Sequence, residues 1–172
     1  MAVIEAIETV YLEVDVSSVT FSSIPSTYEH LQLRITTIGT RYNALKNGIF
    51  YLNGDTTDSN YHHHYMQGGS STSTAAADTE SMWGLNSKAD STPTYGTSVI
   101  DIFDYRNTNK NTTVTSVFGS AATPNSYVMF VSCLWDNPAA ITSIQLLSED
   151  GPQSYNGFTR GSSFTLYGLK SS

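Results

Sequence analysis

The sequence predicts an all-β fold: an antiparallel β-sandwich, jelly-roll-like, of about eight to ten short strands with one long loop. Three observations carry this prediction. Apolar and polar residues alternate with period two in stretch after stretch, the pattern of strands with one buried face. Clusters of Asn, Gly, Pro, Asp and Thr separate those stretches at short intervals. Charged residues make up only 13% of the 172 residues while aromatics reach 12%, including 11 Tyr. Such a chain has core-forming side chains and a neutral polar surface, which a disordered segment lacks.

The elements follow in order. Val10, Leu12, Val14 and Val16 alternate with Thr9, Tyr11, Glu13 and Asp15. Next, Leu31, Leu33 and Ile35 alternate with His30, Gln32, Arg34 and Thr36. A strand at 49–52 runs into Asn53-Gly54-Asp55, a tight-turn signal because Asn and Gly accept positive φ, and 61–67 is its expected hairpin partner. Further strands are expected at 97–105, 112–118, 127–135, 141–147 and 163–169, with turn clusters at 107–111, 123–125, 137–138 and 149–152. One long connection, 68–95, is rich in Ser, Thr, Ala and Gly and breaks the rhythm; only 79–88 within it suggests a helical turn. Loops of this length in compact domains are usually functional or disordered. The central Met82-Trp83-Gly84-Leu85 argues for packing, on the chain's own sheet or on a neighbouring chain. The last strand ends a few residues before Ser172, so a single domain over residues 1–172 is expected.

Charge and composition exclude several function classes. Eight Lys and Arg against fifteen Asp and Glu give a net charge of −7, and the basic residues are scattered, whereas nucleic acid demands clustered cations. No apolar stretch reaches the roughly 20 residues of a membrane-spanning helix. Met1-Ala2-Val3-Ile4-Glu5 lacks the basic start and apolar run of a signal peptide, so synthesis and first residence in the cytoplasm are expected. The single cysteine, Cys133, can form no internal disulfide, and its place between Val131 and Trp135 predicts a buried, inert thiol.

Tyr61-His62-His63-His64-Tyr65 is the sharpest local signal. On a strand, His62 and His64 share one face, and Tyr61, His63 and Tyr65 share the other. Two imidazoles so spaced can hold a metal ion, but no carboxylate or fourth ligand stands nearby; a polar, aromatic strand surface is the preferred reading, with no metal and no cofactor. Asn53, Asp55, Asp58 and Asn60 cluster oxygens of the kind calcium takes, yet turn geometry already accounts for them. Glu80, Asp101, Asp104, Asp136 and Glu149 lie singly rather than as the carboxylate pair of a glycosidase. No Gly-x-Ser-x-Gly elbow and no phosphate-cradling glycine loop is present. No catalytic residue is assigned, and no enzyme is expected. The tyrosines and tryptophans exceed what a core of this size accommodates, because a buried hydroxyl needs a partner. Exposed among Asn, Ser and Gly, they make adhesive surfaces for protein or for sugar rings. Tyr61, His63, Tyr65, Trp83 and Tyr95 are the leading candidates for contact with a partner.

Thr20-Phe21-Ser22-Ser23-Ile24-Pro25, followed by Tyr28 and His30-Leu31-Gln32-Leu33-Arg34, resembles the front of a structural module found in virion proteins of tailed bacteriophages. In that module an Asn-Gly-Asp turn (here 53–55), an Asn-Tyr (60–61) and a closing Phe-Thr-Leu-Tyr-Gly (164–168) recur in the same order. The region 68–125 carries no shared motif. The resemblance implies a small virion structural protein, of capsid-decoration (cement) or tail-fibre-tip type. A start at Met1 without coiled coil or shaft, and an N-terminal strand that begins almost at once, lean toward decoration. The expected role is then non-enzymatic: a trimeric virion protein, assembled in the host cytoplasm, that binds the major capsid protein and copies of itself. It would stabilise the shell by burying aromatic and apolar side chains across subunit junctions. The alternative is a tail-fibre or receptor-binding module that recognises a host surface glycan or receptor.

Overall fold

The computed structural model describes residues 3–38, 47–69, 73–79, 82–86, 94–121, 126–148 and 157–170, with the backbone alone at Asp78, Trp83 and Asn86. These residues form twelve strands: β1 (Val3–Tyr11), β2 (Ser18–Phe21), β3 (His30–Thr37), β4 (Asn47–Leu52), β5 (Tyr61–Gly69), β6 (Ser73–Asp78), β7 (Met82–Asn86), β8 (Gly96–Ile102), β9 (Thr112–Ser120), β10 (Tyr127–Trp135), β11 (Ile144–Ser148) and β12 (Ser163–Lys170). One turn of 3-10 helix, Asp58–Asn60, precedes β5.

All the pairings are antiparallel. Eight strands make one sheet in the order β1-β12-β3-β8-β9-β10-β5-β6, and four make a second in the order β2-β11-β4-β7. The chain passes repeatedly between them, β1 to β2 to β3 to β4 to β5 and later β10 to β11 to β12, which is the jelly-roll-like winding of a β-sandwich. Period-two alternation sets the two faces of each strand. Along β9, Thr112, Val114, Ser116, Phe118 and Ser120 are buried while Thr113 and Val117 are exposed. Phe21, Phe50, Leu52, Ile144 and Leu146 of the small sheet meet Leu33, Ile100, Val114, Val131, Trp135 and Leu166 of the large one in a single core. Each fully buried Leu, Ile or Phe contributes about 1.5–3 kcal/mol relative to an exposed one. Cys133 lies in that core, and burial pushes its thiol up to about 12, which makes it inert at neutral pH.

Three expectations need correction. The connection 68–95 is no single long loop, which is why the strands number twelve. β6 pairs with β5 as the edge of the large sheet, and β7 pairs with β4, burying Met82 and Leu85 where a helical turn was expected. From Ser73 to Ala77 β6 is exposed on both faces, so it has no need of the large apolar residues that would have marked it.

The Asn53-Gly54 turn forms as predicted, with both residues at positive φ (53° and 70°) and the Asp55 N–H on the Leu52 carbonyl at 2.9 Å. It closes no hairpin. β4 lies between β11 and β7 in the small sheet, whereas β5 lies between β10 and β6 in the large one. The first alternating stretch also stops early. β1 carries a bulge between Ala6 and Glu8 and ends at Tyr11; Leu12 turns inward with its N–H on the Ser162 carbonyl, and Val14 is left exposed.

Candidate functional site

Each strand at the centre of the large sheet turns one face to the core and one outward. The outward positions are Thr97, Val99 and Asp101 on β8; Thr113, Thr115, Val117 and Gly119 on β9; Val128, Phe130, Ser132 and Leu134 on β10; and His62, His64, Met66 and Gly68 on β5. Register places Val99 beside Val117, Val117 beside Phe130, Phe130 beside Met66, and Met66 beside Ala75 of β6. With strands about 4.8 Å apart, these side chains form an apolar ribbon roughly 19 Å long, from β8 to β6. Val99, Val117, Phe130 and Met66 are 39–62% exposed, and Val128 lies one row away at 56%. Single exposed apolar residues are ordinary on soluble proteins, but a contiguous patch rimmed by polar groups marks a contact surface.

The rim is polar and ordered. The Gln32 amide donates to Asp101 Oδ1 at 2.7 Å, Arg34 Nε donates to Gln32 Oε1 at 2.9 Å, and the Arg34 guanidinium lies 5.1 Å from the centre of the Tyr167 ring. Asp101 is the one carboxylate among the described outward positions of β8, β9, β10 and β5, and no Lys or Arg stands there. On a chain of net charge −7, this face is close to neutral.

Of the residues singled out from the sequence, two lie inside. Tyr61 is fully buried on the inner face of β5, and its hydroxyl donates to the Asp55 carbonyl at 2.7 Å while accepting the Leu52 N–H at 3.2 Å. Burial raises the Tyr61 hydroxyl well above its ordinary pKa. His63 is buried on the same face, its ring 6.0 Å from that of the half-buried Tyr65. These aromatics exceed no core; they fill it. Both side chains are inside the sandwich, so the reading of those two as surface contacts gives way to packing. Trp83 stands on β7 opposite Ile49, with its side chain outside the described residues. Tyr95 is at the surface, 36% exposed, and its hydroxyl donates to the Arg160 carbonyl at 3.0 Å.

The remaining constellations have structural partners. His62 and His64 share the outward face of β5, and the described residues contain no group of three His, Cys, Asp or Glu able to hold a metal ion. Asn53 Oδ1 accepts from the Thr142 and Ser143 N–H groups, and the Asp55 carboxylate accepts from Thr57, Asn60 and Trp135. The Asn53 and Asp55 side-chain oxygens thus serve as staples between loops, in keeping with the turn reading of this cluster. Asp104, at positive φ, pairs with Lys110 and lies 3.4 Å from His30, and Lys110 leads in holding its carboxyl below the usual range. Asp136 accepts from Asn111, while Glu80 and Glu149 lie outside the described residues. Comparison of the chain with models of known protein families, with curated proteins and with solved structures finds no match.

Proposed function

We propose that this is a non-enzymatic virion structural protein of a tailed phage, a decoration (cement) protein that settles on the head with the outward face of β8, β9, β10 and β5. The single observation behind the reading is the apolar ribbon on that near-neutral face. Such a face adheres to a protein surface once water is excluded, and the acidic remainder keeps the free protein soluble. The phage assignment itself comes from the resemblance of the 20–34 and 164–168 segments. Binding that exists only on the assembled shell stabilises that shell by mass action, and a trimer would multiply the contacts.

Particles with and without the protein, compared under heat and osmotic shock, test the role; equal survival removes the cement claim. Phe130→Asp tests the face. Phe130 points outward, so the fold should tolerate the change, while attachment to the head should weaken by about 2 kcal/mol, roughly thirtyfold. Unchanged attachment would place the contact elsewhere. A receptor-binding module would use the same face, and labelling that places the protein on the tail rather than the head would favour it.

A further inference from the structure

Among the described strands the two sheets end in four edges, β1 and β6 on the large sheet and β2 and β7 on the small one. An edge strand presents a row of unpaired N–H and C=O groups, and proteins shield such rows with bulges, charges, proline or brevity. Three of the four edges are shielded. β1 is bulged between Ala6 and Glu8 and carries Glu5 and Glu8. β2 is only four residues long. β7 meets β4 through a register shift between Gly48 and Ile49. β6 has none of these devices. It pairs with β5 over six consecutive residues, Ser73 to Asp78, without a register shift. From Ser73 to Ala77 it has no charge and no proline, and all of these residues are exposed. Among the described residues no strand pairs its other side and no main-chain hydrogen bond from a loop reaches it. The apolar row of the outward face also runs straight to this edge, from Phe130 to Met66 to Ala75.

We propose that β6 is a self-association edge, pairing antiparallel with β6 of a second copy about a two-fold axis and joining two eight-stranded sheets into one. The class of partner follows from the main chain: an open edge takes another extended strand, with alternate residues exchanging N–H and C=O groups. The side chains select the second copy. Ser73, Thr74 and three Ala offer no pocket and no charge by which a foreign peptide would be read, whereas a second β6 is equally small and uncharged and packs at strand spacing on both faces. The axis also brings two outward rows end to end, Met66 and Ala75 of one copy running into Ala75 and Met66 of the other. Such a contact is isologous, so it closes at two copies, and the bulged, acidic β1 does not extend it. The pairing is independent of the decoration reading, and a threefold contact would have to use another surface.

Sedimentation equilibrium of the full chain is expected to show a reversible monomer–dimer equilibrium. Ala75→Lys and, separately, Ala75→Glu should each raise the dissociation constant by about tenfold or more, since like charges then meet across the axis. Ala75 is exposed, so the urea midpoints of both variants, taken at a concentration where the parent is monomeric, should match that of the parent. An equimolar mixture of the two variants should recover the dimer, an outcome that requires β6 of one copy to lie against β6 of the other. Hydrogen exchange supplies a check that needs no variant: amides of β6 should gain protection as protein concentration rises, and those of β1 should not. A parent that stays monomeric, an assembly that Ala75→Lys leaves intact, or variants that fail to recover on mixing would each overturn the proposal. Growth into long polymers would overturn it too, because that is the mark of β6 pairing with β1 of the next copy.

Discussion

Gly168→Ala is expected to destabilise the fold by about 2–3 kcal/mol, the cost of forcing a methyl group into a filled space. A Cβ at Gly168 would lie 2.2 Å from Cγ of Tyr28 and 2.4 Å from each of its Cδ atoms, inside the ring. The ring is not free to leave. Its hydroxyl donates to Glu5 Oε2 at 3.0 Å, the Tyr28 backbone N–H donates to the Tyr105 hydroxyl at 3.4 Å, and the Lys170 ammonium lies 4.7 Å from the ring centre. The strand cannot shift either, because Gly168 is paired with Glu5 on one side and Leu31 on the other. Urea unfolding of the single and double variants gives the check. Tyr28→Ala opens a cavity, so in that background Gly168→Ala should be close to neutral, a coupling of about 2 kcal/mol. If Gly168→Ala costs the same in both backgrounds, the steric account is wrong.

That contact explains what the recognisable segments do. Tyr28 belongs to the front segment and Gly168 to the closing one, and β12 pairs with β3 along its length, with Leu166 opposite Leu33. Tyr105 completes the arrangement by donating to the Pro25 carbonyl. Those residues describe a packing solution between β3, β12 and the turn that carries Tyr105. The strands were legible because each buried face alternates with a polar one. β6 was not, since an edge strand exposed on both sides has no face to mark.

The apolar outward face of β9 and β10 was partly legible. Val117-Phe118 and Val128-Met129-Phe130-Val131 are apolar in both phases of the alternation, which a strand with one wet face does not need. The tyrosines misled for a different reason. Their hydroxyl partners, Asp55 for Tyr61, Pro25 for Tyr105 and Glu5 for Tyr28, are joined to them by the tertiary fold, and no local pattern announces the pairing.

Asp55 provides the second large effect. Asp55→Asn is expected to cost about 2–4 kcal/mol at neutral pH, unusual for a substitution that keeps the shape. The reason is the count of donors. Asp55 Oδ1 accepts the Thr57 N–H at 3.0 Å, and Oδ2 accepts both Asn60 Nδ2 at 2.8 Å and Trp135 Nε1 at 2.9 Å. Both oxygens must therefore be acceptors. An asparagine has one acceptor oxygen, and its NH₂ would face a donor whichever way it turned.

The same geometry gives the acid limb of stability. Partial burial raises the Asp55 pKa, but the hydrogen bonds from Asn60, Trp135 and Thr57 outweigh it and hold the carboxyl at about 2, against an ordinary 3.8. The folded value is the lower one, so the unfolded chain takes up the proton first as the pH falls. The contribution is complete above about pH 4 to 5 and fades as pH drops toward 2, removing roughly 1–2 kcal/mol after allowance for the solvent at the site. Urea midpoints followed by tryptophan fluorescence at pH 7, 4 and 2.5 should show this decline in the parent protein and a shallower one in Asp55→Asn. Parallel decline in the two would mean that other carboxylates carry the acid sensitivity and that the Asp55 latch between β4, β5 and β10 is a passive contact.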